Sequence, residues 1–341
     1  MKNKIIYIAI ALILILGVVG YSFYQKIFAP AVIKKGTVYI PSNGSMNDLT
    51  KLITDFVEKT DDFNWVAEKK KFTKPKGGKY TLKKGMSMND LVNLFRSGNQ
   101  TPVKVTFNNQ DSLEKLAGRI AQQIEADSTT LLKAFKDSDF LKKNNFTEVS
   151  ALGMYIPNQY EFYWNTSAEK FRNKMLSYYN KFWNASRIEK AKQHGLTKEQ
   201  VITLASIVQK ETAQIVERPK VAGLYLNRYK NNWPLEADPT VIYALKQKHG
   251  QDFIVKRVLF KDLEIKSPYN TYKNVGLPPT LIAMPDISAI DAVLSPEKHD
   301  YFFMCASIEK IGFHDFAKTL SQHNRNAAKY QRWINNQGIK R

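Results

Sequence analysis

The hydropathy pattern has its strongest feature at the amino end. From Ile5 to Tyr24 no residue is charged and nearly all are apolar. At 1.5 Å per residue, about 20 helical residues cross the ~30 Å hydrocarbon core of a bilayer. A cleaved signal core is shorter, about 7–15 residues. The run therefore predicts an uncleaved transmembrane helix over residues 5–25, despite the cleavage-like Ala29-Pro30-Ala31. Lys2 and Lys4 make residues 1–4 a cytoplasmic tail. Lys26, Lys34 and Lys35 on the far side weaken that charge asymmetry, so orientation leans on function as well.

After a short linker the pattern repeats. Thr37-Val38-Tyr39-Ile40 predicts a strand and Ser45-Met46-Asn47-Asp48-Leu49 opens a helix. Lys79-Tyr80-Thr81-Leu82 and Ser87-Met88-Asn89-Asp90-Leu91 repeat that order. In each copy Ser is placed to cap the helix, with Asp at the third helical position. A looser copy runs Val103-Lys104-Val105-Thr106-Phe107, then Ser112-Leu113-Glu114-Lys115-Leu116. Residues 111–200 read as mainly helical. The exception is Met154 to Trp164, where Pro157 excludes a continuous helix. Its dense aromatics would suit a wall for sugar rings or, more commonly, a buried cluster.

Val201, Leu204, Ala205, Val208 and Ile215 recur at helical spacing. Glu211 follows Val208 by three residues and shares that apolar face. A carboxyl so placed is desolvated, keeps its proton near neutral pH, and can act as a general acid. The alternative is a salt bridge to Lys210 or Arg218. Arg218–Tyr229 predicts the next helix, and Asp238 is placed to cap a helix opening at Pro239. Two polar, aromatic loops follow, Ser267 to Tyr272 and Gly276 to Pro279, of the kind that carry binding residues. Tyr301 to Met304 and Gly312 to Phe316 read as strands, with His323-Asn324 on the last helix.

Composition narrows the classes. The 341 residues hold two or three compact units, and 43% hydrophobic content supports sizeable cores. The single Cys305 excludes an internal disulfide and reads as a buried strand residue. Neither His-Glu-x-x-His nor Cys-x-x-Cys occurs, so no metal site is expected. The net charge of +20 comes mostly from scattered lysines, without an arginine-rich arm or nucleic-acid motif. Anionic lipid headgroups or an acidic polymer suit it better than nucleic acid, as does a merely soluble surface.

Six motifs in one order carry a resemblance. They are Ala205-Ser206-Ile207-Val208-x-Lys210-Glu211-Thr212, Asn227-Arg228, Asp238-Pro239-Thr240-Val241-x-Tyr243, Ser267-Pro268-Tyr269-Asn270-Thr271-Tyr272, Gly276-Leu277-Pro278-Pro279, and His314-x-Phe316 through His323-Asn324. Together they resemble the endolytic murein transglycosylases, the MltG or YceG-like family. Gly78 to Ser87 resembles the entry to a LysM-type fold, a module that binds N-acetylglucosamine polymers. Family members usually carry Ser or Thr at Ala237, and Gly at Thr280 and Asp286.

The resemblance implies an α+β fold. A transmembrane helix would lead into a LysM-like βααβ module over 36–107, a helical connecting region over 108–200, and an α+β catalytic region over 201–334. It implies that Glu211 is catalytic, with Asn227, Asp238, Tyr269, Asn270, Tyr272, His314 and Asn324 binding substrate. The substrate would be nascent peptidoglycan, cut within the glycan strand between N-acetylmuramic acid and N-acetylglucosamine to leave 1,6-anhydro ends and terminate elongation. No cofactor and no metal would be needed. Partners would be glycan strands, the cytoplasmic membrane and peptidoglycan synthases, with the catalytic region on the periplasmic side of that membrane. Two competing readings are a hydrolytic muramidase, with Asp238 or Glu161 as second carboxylate, and a non-enzymatic wall-binding scaffold.

Overall fold

The computed structural model describes residues 2–336. In chain order the elements begin α1 (Lys2–Phe28), β1 (Gly36–Ile40), α2 (Met46–Ile53), α3 (Thr60–Lys69), β2 (Gly78–Leu82), α4 (Met88–Ser97) and β3 (Val103–Phe107). Next come α5 (Leu113–Ala121), α6 (Ser128–Phe135), α7 (Ser138–Lys143), β4 (Asn158–Phe162), α8 (Ala168–Phe182), α9 (Ala185–Gln193) and α10 (Lys198–Glu211). The chain continues with α11 (Arg218–Lys230), α12 (Asp238–His249), α13 (Ile287–Leu294), β5 (Phe303–Ala306), β6 (His314–Ala317) and α14 (Leu320–Asn336). The fold is α+β. Among the described residues one helix, Lys4–Phe28, is long and apolar enough to cross a membrane.

The chain forms two compact units. The first runs to Val105 and takes in Ile120–Asp127 and Tyr160–Ser167; the second holds Thr106–Arg119, Ser128–Gln159 and the chain from Ala168 onward. Most of the stretch read as a connecting region thus belongs to the second unit.

In the first unit both Ser/Asp pairs close as capping boxes. The Asp48 amide donates to Ser45 Oγ at 3.2 Å while the Ser45 amide donates to Asp48 Oδ2 at 2.9 Å. Ser87 and Asp90 repeat this at 3.2 and 3.0 Å. Each box satisfies two donors that a helix start leaves open. The capped helices bury Leu49, Ile53, Leu91, Val92 and Phe95 against Ile40, Tyr80 and Leu82. β1 and β2 pair antiparallel, Val38 opposite Tyr80, giving the order strand, helix, helix, strand. β3 does not extend that sheet. It pairs with β4, which begins directly after Pro157. Along β4 the alternation turns Tyr160 and Phe162 inward, and Tyr155 is buried as well. The aromatic stretch is therefore mainly core, with Tyr163 left exposed.

The second unit is built on α10. Thr197 and Gln200 form its capping box, with amide contacts of 3.2 and 2.9 Å. Every residue from Val201 to Val208 is buried. The helix packs on α11, α12 and α13, so it is covered on more than the one face its apolar periodicity marks. Burying each of Leu204, Ile207 and Val208 contributes about 1.5–3 kcal/mol. Ser206 Oγ accepts from the Ile282 amide at 3.0 Å, which fixes the loop before α13. β5 and β6 form an antiparallel hairpin with Ala306 opposite His314, and α14 packs on β5. Gly223 lets α11 pass close to the chain before β5. A Cβ there would stand 2.4 Å from Glu297 O and 2.8 Å from His299 Nε2.

Candidate active site

Glu211 is the last residue of α10 and opens onto a cavity of about 230 Å³. Tyr225, Arg228, Asp238, Tyr272 and His314 share that cavity. Tyr225 comes from α11, is 2% exposed, and its hydroxyl donates to Glu211 Oε1 at 2.6 Å. Burial pushes the Glu211 carboxyl up from an ordinary 4.5 to about 7. The Tyr225 hydrogen bond and the nearby His314 and Arg228 pull the other way, while Asp238 adds to the rise. Desolvation is the largest of these effects. Glu211 thus holds its proton near neutrality while keeping an opening to the cavity. Burial and the neighbouring Glu211 push the Tyr225 phenol well above its ordinary value, so it remains a donor.

His314 opens β6. Its main-chain amide donates to Glu217 Oε1 at 2.6 Å, and its Nδ1 lies 2.9 Å from Glu217 Oε2. Glu217 is 6% exposed. A carboxylate only accepts, so Nδ1 carries the proton and the ring is held by two bonds from one side chain. Arg228 is also buried. It donates to Phe302 O at 2.7 Å, Leu235 O at 2.7 Å and Glu236 Oε2 at 2.9 Å. That fork ties the cavity wall together.

Asp238 does not cap α12. The cap position is Ala237, with no side-chain bond. Asp238 Oδ1 instead accepts from the Tyr272 hydroxyl at 2.6 Å. Burial and Asp238 together raise the Tyr272 phenol above its ordinary value.

Residues 38–329 match the model of the YceG-like family. The chain belongs to that family. It is similar to the endolytic murein transglycosylase of Bacillus subtilis, 30% identical over 311 residues, 86% of this chain and 84% of the relative. The endolytic murein transglycosylase of Streptococcus pneumoniae is 28% identical over 346 residues, 92% of this chain and 62% of that protein. A crystal structure of a yceG-like protein from Listeria monocytogenes superposes with a TM-score of 0.57 at 27% identity, covering 86% of this chain and 98% of that one.

In this YceG-like chain the fold gathers four of the residues singled out above: Glu211, Asp238, Tyr272 and His314. The other four lie outside the cavity lining. Asn227 donates to His299 O and Tyr301 O at 2.8 and 3.1 Å. Asn270 is fully buried and donates to Leu263 O and Ile265 O at 2.8 and 3.0 Å. The Tyr269 hydroxyl meets Thr280 Oγ1 at 2.7 Å, and Asn324 is exposed on α14. His323 stacks on Phe303, and Glu161 is exposed on β4; neither lines the cavity. Cys305 departs from its expected burial. It is half-buried on β5 and lines the cavity with Glu211.

Thr280 and Asp286, where the resemblance leads one to expect Gly, have partners of their own. Thr280 holds Tyr269, and Asp286 caps α13 at the Ala289 amide (2.9 Å) while taking Arg218 Nη1 on both oxygens at 2.7 Å. A larger cavity, about 440 Å³, lies beside Asp111, Glu114 and Lys136. Burial there pushes Asp111 and Glu114 up, but Lys210 and Lys136 outweigh it and hold both below the ordinary range. Those carboxyls are ionised near neutral pH and cannot serve as acids there. Among the described residues no group of His, Cys, Asp and Glu could hold a metal ion.

Proposed function

We propose that this chain is an endolytic peptidoglycan lytic transglycosylase with Glu211 as its single acid and base. The observation that carries this reading is a carboxyl raised to about 7, hydrogen-bonded by Tyr225 and open to a cavity. Protonated Glu211 gives its proton to the oxygen linking N-acetylmuramic acid to N-acetylglucosamine. The bond to the anomeric carbon breaks and leaves an oxocarbenium-like sugar. Glu211, now a carboxylate, takes the proton from the 6-hydroxyl of the same sugar as that oxygen closes on the anomeric carbon. The product ends in a 1,6-anhydro ring and no water is consumed. An intramolecular nucleophile reaches effective molarities of about 10⁵ M or more, so no second carboxylate is required. Tyr225 steadies the carboxylate between the two steps. Tyr272 and His314 present polar groups to the sugar, and Asn227, Tyr269 and Asn270 act by holding the loops around the cavity.

The α1 helix anchors the chain in the cytoplasmic membrane by a single pass, with the catalytic unit on the extracytoplasmic side. The module over 36–107 is LysM-like and holds glycan, cleavage ends strand elongation, and the synthases that make the strands are the partners.

A second reading has one observation in its favour. Asp238 lines the same cavity and is exposed, where it could activate water as a muramidase base. Mass spectrometry of glycan digested by the full-length protein separates the two. Anhydro ends support the transglycosylase; reducing ends carrying one added water would replace it with the hydrolase. Retention of glycan with no new ends would leave only the scaffold.

A further inference from the structure

The end of the apolar helix is built into the first unit. Phe23 stacks on Trp65 with centroids 5.4 Å apart. Lys26 Nζ pairs with Asp62 Oδ1 at 2.9 Å and stands 4.8 Å above the Trp65 ring. Ile27 packs against the core, and the amides of Ala31 and Val32 both donate to Met86 O at 3.0 Å. These contacts tie the end of α1 to the rest of this unit, so the start of α3 is held level with Lys26.

That level can be placed. The uncharged run ends at Tyr24, and its length matches the hydrocarbon core. Gln25 and Lys26 then fall in the headgroup layer, with Tyr21 and Tyr24 exposed at its boundary as interfacial aromatics are. A cleft of about 450 Å³ opens at this depth. Ser22, Gln25, Lys26, Glu58, Lys59 and Asp62 supply its polar lining. Two cations and two carboxylates face one space. Glu58 and Lys59 are exposed and form no ion pair among the described residues.

We propose that this cleft holds the headgroup of an aminophospholipid, its phosphate toward Lys26 and Lys59 and its ammonium toward Glu58 and Asp62. A purely anionic headgroup would meet the two carboxylates unfavourably. A quaternary ammonium has no N–H to give them. A primary ammonium donates three charge-assisted hydrogen bonds and satisfies both signs at once. The proposal rests on α1 lying in a bilayer.

The test uses the full-length protein with vesicles holding equal phosphatidylethanolamine, phosphatidylglycerol and phosphatidylcholine. Flotation with the vesicles checks the anchor, and failure to float overturns both readings. For protein that floats, native mass spectrometry should show phosphatidylethanolamine retained several-fold over the other two. Glu58→Gln and Lys59→Gln should each bring retention down to the phosphatidylcholine level while flotation and the thermal melt stay unchanged. Equal retention of all three lipids, or a preference for phosphatidylglycerol, overturns the site and leaves the anchor standing. Loss of the lipid to millimolar inorganic phosphate would show a simple anion site and overturn it also.

Discussion

The Tyr225 hydroxyl donates to Glu211 Oε1 across 2.6 Å, joining the middle of α11 to the last residue of α10. That bond favours the ionised carboxyl and so opposes the desolvation that raises it. Tyr225→Phe removes the donor and little volume. The acid limb of the reaction should survive, but the carboxylate formed after proton transfer loses its partner. We expect the alkaline limb of the pH–rate profile to move upward, with the optimal rate lower by about 10–100-fold. Release of anhydro ends from purified strands at a series of pH values measures both. A limb that stays in place or moves downward would exclude this role for Tyr225.

Glu211→Gln keeps the side chain's shape and removes its proton chemistry. Cleavage should fall by about 10²–10⁴-fold, the usual contribution of a positioned acid and base. Stability carries an independent sign. The folded carboxyl is raised to about 7 from an ordinary 4.5, so the folded state binds the extra proton between those values. The contribution is fully present below about 4.5 and is lost as pH rises through about 7. The variant should lack this decline and gain about 1–3 kcal/mol over the parent at pH 8. Urea unfolding at pH 4 and pH 8 reads the difference; identical pH slopes in the two proteins would mean that Glu211 is not desolvated.

Glu217 holds His314 by main chain and ring together, at 2.6 and 2.9 Å. Glu217→Gln preserves the volume but offers an amide that can donate to Nδ1, which permits the opposite tautomer. We expect kcat to fall by about 10–100-fold with KM little changed, because a displaced ring acts on the reacting sugar rather than on remote binding. Glu217→Asp should restore part of the rate. Circular dichroism melts keep a folding defect separate, and a pure KM effect would move His314 out of the chemistry.

Local signals carried well into the structure and distant ones did not. The Ser45, Ser87 and Thr197 caps depend on residues three apart, so their chemistry is readable from the chain itself. Glu211 was legible through the helical period and the ordered motifs. Tyr225 was hidden, because its hydroxyl reaches Glu211 only once α11 has packed on α10. Glu217 and His314 stand 97 positions apart, and nothing local marks them as a pair. Asp238 shows how a cap signal can mislead: the Tyr272 hydroxyl takes its oxygen, and the position before α12 goes to Ala237. Asn227, on a predicted helix, and Asn270, in a polar loop, read as sugar ligands because they sit in the motifs that carry the resemblance. Their amides are instead spent on carbonyls that hold the chain in place.

Asp286 gives a stability test at a position where the resemblance leads one to expect Gly. Arg218 is 3% exposed and directs Nη1 at both Asp286 oxygens. Asp286→Gly removes that charge partner and the α13 cap in one step. The Asp286 side chain is 32% exposed, so breaking the pair costs less than the ~3–5 kcal/mol of a fully buried one, and losing a cap adds about 1 kcal/mol. Ser288 Oγ remains beside Arg218 and offsets part of the loss, so a net destabilisation of about 2–4 kcal/mol is expected. The pH dependence follows from the sign of the shift. Burial pushes Asp286 up, but Arg218 and the Ala289 and Ser288 hydrogen bonds prevail and hold it below 3.8. Its stabilisation is therefore present above 3.8 and lost as pH falls through the lower folded value. Parent and variant should differ most near neutrality and converge under strongly acid conditions. Thermal melts from pH 7 down to pH 2 follow the convergence, and a gap that stays constant across that range would show that the Arg218 pair contributes nothing.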